Sequence, residues 1–140
     1  MAEIISLSYD VPGDDFTRAG EASSNMKKLL KKLGVSQEAI RRAAIAMYEG
    51  EINMVIHANG GVIDVKVDED KIIMVLKDTG PGIPDIELAM TEGYSTAPDN
   101  VRTLGFGAGM GLPNMKKYTD EMTVDSTVGV GTTVTMVVNL

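Results

Sequence analysis

The sequence predicts an α/β fold of the two-layer α+β sandwich kind, with helices packed on one face of a mixed sheet. Segments that alternate apolar and polar residues, typical of half-buried strands, occur near the start, in the middle and at the end of the chain. Segments with apolar residues at helical spacing lie between them. The 140 residues are 44% hydrophobic and 24% charged, as in ordinary globular proteins. At this length we expect a single domain, residues 1–140.

Composition excludes several classes of function. The chain has no cysteine, which excludes disulfides, thiolate metal sites and cysteine nucleophiles. No apolar run approaches the ~20 residues that span a bilayer, and residues 1–11 lack a signal-peptide layout, so we expect a cytoplasmic protein without a membrane partner. The net charge of −7 argues against a nucleic-acid surface. An anionic ligand would therefore be held by local dipoles, a metal ion and a few cations.

The first elements are a strand and a helix. Residues 3–11 alternate as a strand does, and a Pro-Gly pair ends the strand. Asp14 or Asp15 can then cap a helix that runs to about Leu33, with Gly34 ending it. Near its C-terminal end stand four lysines, which either contact an acidic partner or form a solvated helix end: Lys27, Lys28, Lys31 and Lys32.

The second predicted helix carries the first candidate site. It runs from Ser36 to about residue 57 or 58, and Glu49, Asn53 and His57 recur at four-residue spacing on one face. An asparagine oxygen can coordinate Mg²⁺ beside phosphate and water ligands. A glutamate one turn away can deprotonate an attacking group. The alternative is that Glu49 and Asn53 are solvent-facing polar residues, with His57 bonded to backbone at the helix end.

Residues 62–67 and 71–76 predict a hairpin that delivers the chain to the turn Asp78-Thr79-Gly80-Pro81-Gly82. A carboxylate there can accept a hydrogen bond from an exocyclic amine such as adenine N6, and the glycines let the backbone lie against a flat ring. The alternative is an ordinary turn with a capping aspartate. Residues 85–90 predict a short helix, and residues 91–104 a mobile segment.

Residues 104–115 (L-G-F-G-A-G-M-G-L-P-N-M) form a glycine-rich loop that opens a helix predicted to reach about Asp120. Such a loop presents free N–H donors and the positive end of the helix dipole, where phosphate binds. The alternative is a mobile hinge without a ligand. The chain closes with strands predicted at 121–127 and 132–138, separated by a V-G-V-G turn.

Five motifs in this fixed order resemble the histidine-kinase-like (GHKL, Bergerat-fold) ATPase superfamily. Within it, the chain is similar to the small anti-sigma-factor serine/threonine kinases and the related switch kinases of bacterial stress signalling. The matching stretches are Y-E-G-E-I-N-M-V-I-H-A (48–58), D-T-G-P-G-I-P-D-I (78–86), G-Y-S-T (93–96), G-A-G-M-G-L-P-N-M-K-K-Y-T-D-E (107–121) and V-G-V-G-T-T-V (128–134).

The resemblance implies the Bergerat ATP-binding fold, with a mixed, mostly antiparallel sheet, and it implies roles for single residues. Glu49 matches the catalytic base, Asn53 the magnesium ligand, and Asp78 the carboxylate that binds the adenine amine. The other implied nucleotide contacts lie beside the ring, in a lid, in the phosphate loop and on the last strand: Gly80, Gly82, Ile83, Tyr94, Ser95, Thr96, Arg102, Gly105, Gly107, Gly109, Met110, Gly111, Leu112 and Thr133.

One position departs from the family pattern. Some family kinases carry an arginine beside the glycine loop that reaches the terminal phosphate, and here Gly107 takes its place. Arg102, in the lid, is the candidate substitute. If it does not act, ATP binding survives while phosphotransfer is weak or absent.

The resemblance implies a regulatory protein of the anti-sigma-factor type. We expect an ATP- and Mg²⁺-dependent serine/threonine protein kinase that phosphorylates a small partner of the sulfate-transporter/anti-sigma-antagonist (STAS) type. The alternative is a nucleotide-gated binding module that sequesters a sigma factor or another regulator with little or no phosphotransfer. The sequence leaves open the identity of the partner and whether the chain forms a homodimer.

Overall fold

The structure, a computed structural model, describes residues 5–13, 19–57, 60–83, 90 and 111–140. These ranges hold five strands and three helices. In chain order they are β1 (Ile5–Pro12), α1 (Glu21–Lys32), α2 (Gln37–His57), β2 (Gly60–Val67), β3 (Lys71–Asp78), α3 (Gly111–Lys117), β4 (Glu121–Thr127) and β5 (Gly131–Asn139). None of the helices in the described ranges has the length and apolar content of a transmembrane segment.

The five strands form one sheet in the order β1-β2-β3-β5-β4, and each neighbouring pair is antiparallel. Because side chains alternate between faces along a strand, every second residue points toward the helices. One row of these helix-facing residues crosses all five strands and contains Leu7, Val65, Met74, Met136 and Met122. The predicted fold class, a sheet covered by helices on one face, is confirmed.

The helix layer is centred on α2, which packs against α1 on one side and α3 on the other. Gly50 lets α2 approach the sheet closely, because a Cβ there would collide with the side chain of Leu76 on β3. Six of the ten methionines lie in the core that this packing creates, where a flexible side chain fills irregular space: Met26, Met47, Met54, Met74, Met115 and Met136.

The start of α1 differs from the sequence prediction. The helix begins at Glu21, and Gly20 precedes it in the left-handed conformation with φ of 92°. A helix running unbroken from Asp14 or Asp15 is therefore wrong, although residues 14–18 themselves lie outside the described part. The cause is a tertiary cap, the carboxylate of Glu51 on α2. It accepts hydrogen bonds from the backbone N–H groups of Gly20 (2.9 Å), Ala22 (3.2 Å) and Ser23 (3.0 Å).

We expect Glu51→Gln to destabilise the fold by about 1–2 kcal/mol, because Glu51 is only 2% exposed and its carboxylate caps three donors. The amide can accept from some of these N–H groups but presents a donor to the others. Urea denaturation followed by circular dichroism measures the change. Glu38→Gln, an exposed glutamate of the same helix, is the control. Equal stability of the two variants would contradict the capping role.

The other helix ends lie close to their predicted positions. Gly34 and Val35 close α1 with backbone bonds to Lys31 (3.1 Å) and Leu30 (3.2 Å), as a glycine-terminated helix does. The Ser36 hydroxyl accepts the Ala39 N–H at the start of α2 (3.3 Å).

The third helix is shorter than predicted, ending at Lys117 rather than near Asp120. The Asp120 N–H donates to the Val137 carbonyl (2.8 Å), which draws the chain into β4. The predicted short helix at 85–90 and the mobile segment at 91–104 lie outside the described residues, apart from Met90.

Candidate functional site

The polar face of α2 meets α3, the helix that follows the glycine-rich stretch in the sequence. Asn114 Nδ2 on α3 donates to Glu49 Oε1 at 3.4 Å. Glu49 is half-buried, and burial raises the pKa of its carboxyl while the Asn114 hydrogen bond opposes that rise. A carboxylate with a raised pKa is a stronger base than a solvent-exposed one.

Asn53 lies one turn further along the same face of α2. Its Nδ2 donates to Met115 Sδ on α3 at 3.9 Å, a weak contact that orients the amide. No residue in the described part donates to its Oδ1, and oxygen is the atom a hard cation such as Mg²⁺ takes. In the described ranges, no group of three or more histidine, aspartate or glutamate side chains could hold a metal ion.

Asp78 ends β3 and closes the turn that follows. Its Oδ1 accepts the N–H of Gly80 (3.0 Å) and the N–H of Thr132 on β5 (3.2 Å). Within the described part, nothing donates to Oδ2. One oxygen therefore fixes the side chain against its own turn and against β5, and the other accepts no hydrogen bond from the described residues.

Two hydroxyl side chains, those of Ser126 and Thr132, form a hydrogen bond beside Asp78. Ser126 and Thr132 lie opposite each other on β4 and β5, with their hydroxyl oxygens 2.9 Å apart. Ser126 Oγ also accepts the Ile83 N–H at 2.7 Å, which ties the Gly80–Gly82 turn to the end of the sheet. These bonds hold the backbone of the turn that follows Asp78 against β4 and β5.

The structure does not bring Thr133 together with Asp78. Asp78 pairs with Thr132, and Thr133 pairs with Lys77 on the face of the sheet that points away from the helices. The threonine on the Asp78 face is Thr132, which is buried with 8% of its surface exposed.

The α2 face and the Asp78 turn lie at the same end of the molecule. The side chain of Met54 approaches Gly61, which itself lies against Lys77 and Asp78 at the end of β3. Asp78 points to the helix side of the sheet, since it continues the helix-facing series Ile72, Met74 and Leu76. The C-terminal half of α2, which carries Asn53, therefore lies beside the end of β3 that carries Asp78.

The remaining predicted positions divide into two groups. Gly80, Gly82 and Ile83 follow Asp78, and Gly111 and Leu112 open α3. The side chain of His57 and eight predicted positions lie outside the described residues: Tyr94, Ser95, Thr96, Arg102, Gly105, Gly107, Gly109 and Met110.

Sequence reasoning missed three residues of this region. Thr132 could have been found by counting in twos from the apolar Val134 and Met136, which share its face. Ser126 opposes Thr132 across a register that the sequence does not display. Asn114 had a weaker signal, a polar residue in the first turn after the glycine loop.

Asn114→Ala is expected to raise the pKa of Glu49 further. The Asn114 bond favours the charged carboxylate, so its loss leaves the desolvation effect unopposed. A carbon-13 NMR titration of the Glu49 carboxyl, assigned by comparison with Glu49→Gln, measures the shift in the absence of nucleotide. Asn25→Ala, at an exposed position on α1, should leave it unchanged. An unaltered or lower pKa in Asn114→Ala would remove Asn114 as the partner of Glu49.

Comparison with known proteins shows which family the chain resembles. Residues 35–140 match the model of the histidine kinase-, DNA gyrase B- and HSP90-like ATPase family. The chain is 32% identical over 110 residues to the serine/threonine-protein kinase RsbT of Bacillus subtilis (strain 168), which covers 76% of this chain and 77% of that protein. It is also 32% identical over 140 residues to the anti-sigma F factor of Clostridium novyi (strain NT), covering 96% of this chain and 89% of that protein.

A solved structure shares the fold. The crystal structure of the RsbU and RsbW domains of Rv1364c from Mycobacterium tuberculosis superposes with a TM-score of 0.65 at 15% sequence identity. The match covers 96% of this chain and 32% of the chain in that crystal structure, so this chain spans about a third of that chain's length. At this identity the similarity concerns the fold alone.

Proposed function

The chain belongs to the histidine kinase-, DNA gyrase B- and HSP90-like ATPase family, and from this premise we propose that it is an ATP-dependent regulator of the anti-sigma-factor type. In this proposal it transfers the terminal phosphoryl group of ATP to a serine or threonine of a small STAS-type partner. The names of its relatives, a serine/threonine kinase and an anti-sigma factor, support this class of function.

One observation carries the proposal. The two polar side chains of the α2 face, Glu49 and Asn53, each contact α3, the helix that the glycine-rich loop opens. Asp78 lies at the neighbouring sheet end with one carboxylate oxygen held and the other available. This arrangement suits a nucleotide whose base lies at Asp78 and whose phosphates lie between α2 and the glycine loop.

At the base end, Asp78 Oδ2 would accept a hydrogen bond from the adenine amine. Gly80, Gly82 and Ile83 would lie beside the ring, with Thr132 rather than Thr133 on the same face. At the phosphate end, residues 105–112 would wrap the phosphates, and residues 94–102 would cover the nucleotide. These last two assignments remain predictions from the sequence.

Asn53 fits a magnesium ion. Its amide oxygen accepts no bond from the described residues, and Mg²⁺ in nucleotide sites typically takes one or two protein oxygens with phosphates and water completing the octahedron. When bound, the ion would neutralise charge on the phosphate oxygens. Asn53 would therefore hold the ion and position the phosphates with it.

Glu49 would act as the general base. Phosphoryl transfer depends on positioning and charge stabilisation, so the residue that receives the hydroxyl proton must be fixed in place. The hydrogen bond from Asn114 on α3 restrains the Glu49 carboxylate. Burial raises the pKa of the Glu49 carboxyl, which would make it a better acceptor for the proton of the partner hydroxyl.

Incubation with ATP labelled at the γ-phosphate and with candidate STAS partners tests the proposal. We expect label on the partner, released by phosphatase and mapped to a serine or threonine by mass spectrometry. A partner in which the acceptor is replaced by alanine is the control. Stable partner binding without label transfer would exclude the kinase function for those partners.

The departure at Gly107 favours a second candidate, because an arginine that reaches the terminal phosphate in some family kinases is missing there. In that case nucleotide occupancy would set the affinity for a sigma factor or other regulator, with little turnover. Partner affinity measured with ATP, with ADP and without nucleotide separates the two candidates. A nucleotide-gated binding module requires an affinity that depends on the nucleotide even when no labelled phosphate is transferred to the partner.

A further inference from the structure

The helix layer has an end where α2 begins and where α1 and α3 finish. Arg42 in the first half of α2 forms an ion pair with Asp120 (3.1 Å), just before β4 begins. Arg41 stacks over the ring of Tyr118, directly after α3, at 5.6 Å. Four residues, 33–36, join the end of α1 to the start of α2. The C-terminal ends of α1 and α3 and the first half of α2 therefore lie together.

This end collects most of the positive charge of the chain. The second half of α1 carries Lys27, Lys28, Lys31 and Lys32, all exposed. Arg41 and Arg42 on α2 and Lys116 and Lys117 on α3 bring the number to eight of the thirteen lysines and arginines. We call these eight residues the basic helix surface.

Most of this charge is not neutralised locally. Glu38 pairs with Arg41 (2.9 Å) and Asp120 pairs with Arg42. The six lysines form no ion pair with any residue in the described part of the chain. The other acidic groups at this end of the sheet are Glu121 and the turn 68–70, and neither lies within 4.0 Å of a lysine nitrogen of the surface.

The local charge is opposite to that of the rest of the molecule. Two of the twenty aspartates and glutamates, Glu38 and Asp120, pair with the arginines of the surface, and the other eighteen are accompanied by only five lysines and arginines. Charges further than about 8 Å apart are largely screened at physiological ionic strength, so a ligand at this surface interacts with the unpaired lysines nearest to it, the four of α1 or the two of α3, rather than with the net charge of −7.

The Tyr118 ring restrains two cationic side chains of the surface. Arg41 and Lys117 both lie over it, with Lys117 Nζ 5.5 Å from the ring centroid. Cations held over an aromatic ring lose less side-chain freedom when they bind a carboxylate, because part of that freedom is already lost.

We propose that the basic helix surface docks an acidic segment of a protein partner, independently of what the nucleotide site does. A compact segment rich in aspartate or glutamate fits within the surface, whereas an extended polyanion such as DNA would continue onto the acidic remainder of the chain. Insertion into a membrane needs an apolar face, and the apolar face of α1, with Met26 and Leu30, is buried in the core.

Binding of a fluorescein-labelled helical peptide built of alanine and glutamate, followed by anisotropy at several salt concentrations, tests the proposal. The peptide with glutamine in place of glutamate is the probe control. Lys27→Gln/Lys31→Gln removes two charges from the surface, and Lys66→Gln/Lys71→Gln removes two exposed lysine charges from the strands. Glutamine and lysine have similar helix propensities, so α1 should persist.

We expect the α1 double variant to bind the glutamate peptide about tenfold more weakly, with a smaller salt dependence, and the strand double variant to bind within about twofold of the parent. Lys27→Arg/Lys31→Arg should retain binding. A Lys116→Gln/Lys117→Gln variant gives a second test on another helix.

Equal losses in the α1 and strand variants would overturn the proposal, as would absence of glutamate-peptide binding at low salt. Tighter binding of a DNA duplex or of phosphatidylserine vesicles than of the peptide would also overturn it. The assay contains no nucleotide, so a failed kinase assay and a failed docking assay are separate results.

Discussion

Glu49→Gln is expected to slow phosphoryl transfer by about 10²–10⁴-fold, the range that a general base contributes, while ATP affinity stays within about twofold. The substitution keeps the side-chain shape and leaves an amide oxygen for the Asn114 bond, but it removes the proton acceptor. Single-turnover transfer of label to the partner measures the rate, and calorimetry measures ATP binding. Glu49→Ala should behave similarly.

The pH dependence separates a base from a binding residue. Burial raises the pKa of the Glu49 carboxyl, and a base must be deprotonated to act. The transfer rate of the parent should therefore fall as pH falls through that raised value, and this limb should be missing from the residual activity of Glu49→Gln. Glu69→Gln, in the exposed turn between β2 and β3, is the control and should transfer label at the parent rate. Equal rates in Glu49→Gln and the parent would remove Glu49 from the mechanism.

Local patterns predicted the parts of the site that lie on single elements. The four-residue spacing of Glu49 and Asn53 was enough to place both on one face of α2, because helical geometry does not depend on the rest of the fold. An aspartate at the end of an apolar strand likewise predicted the Asp78 turn. The Gly34 and Ser36 boundaries followed from capping preferences, which act within one helix turn.

Contacts between distant elements could not be predicted in this way. Glu51 accepts hydrogen bonds from backbone groups 28 to 31 residues away, and no residue near Gly20 in the sequence indicates this cap. The choice between Thr132 and Thr133 depends on the β3–β5 register, where a shift of one residue exchanges the two faces. Asn114 reaches Glu49 only because α3 packs beside α2, 65 residues further along the chain.

Asp78→Asn is expected to weaken ATP binding by about 10- to 150-fold, which corresponds to the loss of one charge-assisted hydrogen bond of roughly 1.5–3 kcal/mol. The substitution should change ligand binding without disturbing the local structure. The amide oxygen of the new side chain can still accept hydrogen bonds from the N–H groups of Gly80 and Thr132, so the turn and the β3–β5 contact persist. The other carboxylate oxygen becomes an NH₂ donor, which in the proposed orientation would face the N6 amine of adenine, itself a donor.

The adenine amine itself can be tested with inosine triphosphate, which carries an oxygen where ATP carries that amine. The parent protein should prefer ATP, because Asp78 can accept from an amine and not from a carbonyl. Asp78→Asn should lose this preference or reverse it, since its amide can donate to the oxygen. Asp125→Asn, at an exposed position on β4 facing away from the helices, should keep the parent preference. If Asp78→Asn binds ATP as tightly as the parent by calorimetry, the adenine does not lie at Asp78, and the nucleotide orientation proposed here is wrong even if ATP is bound.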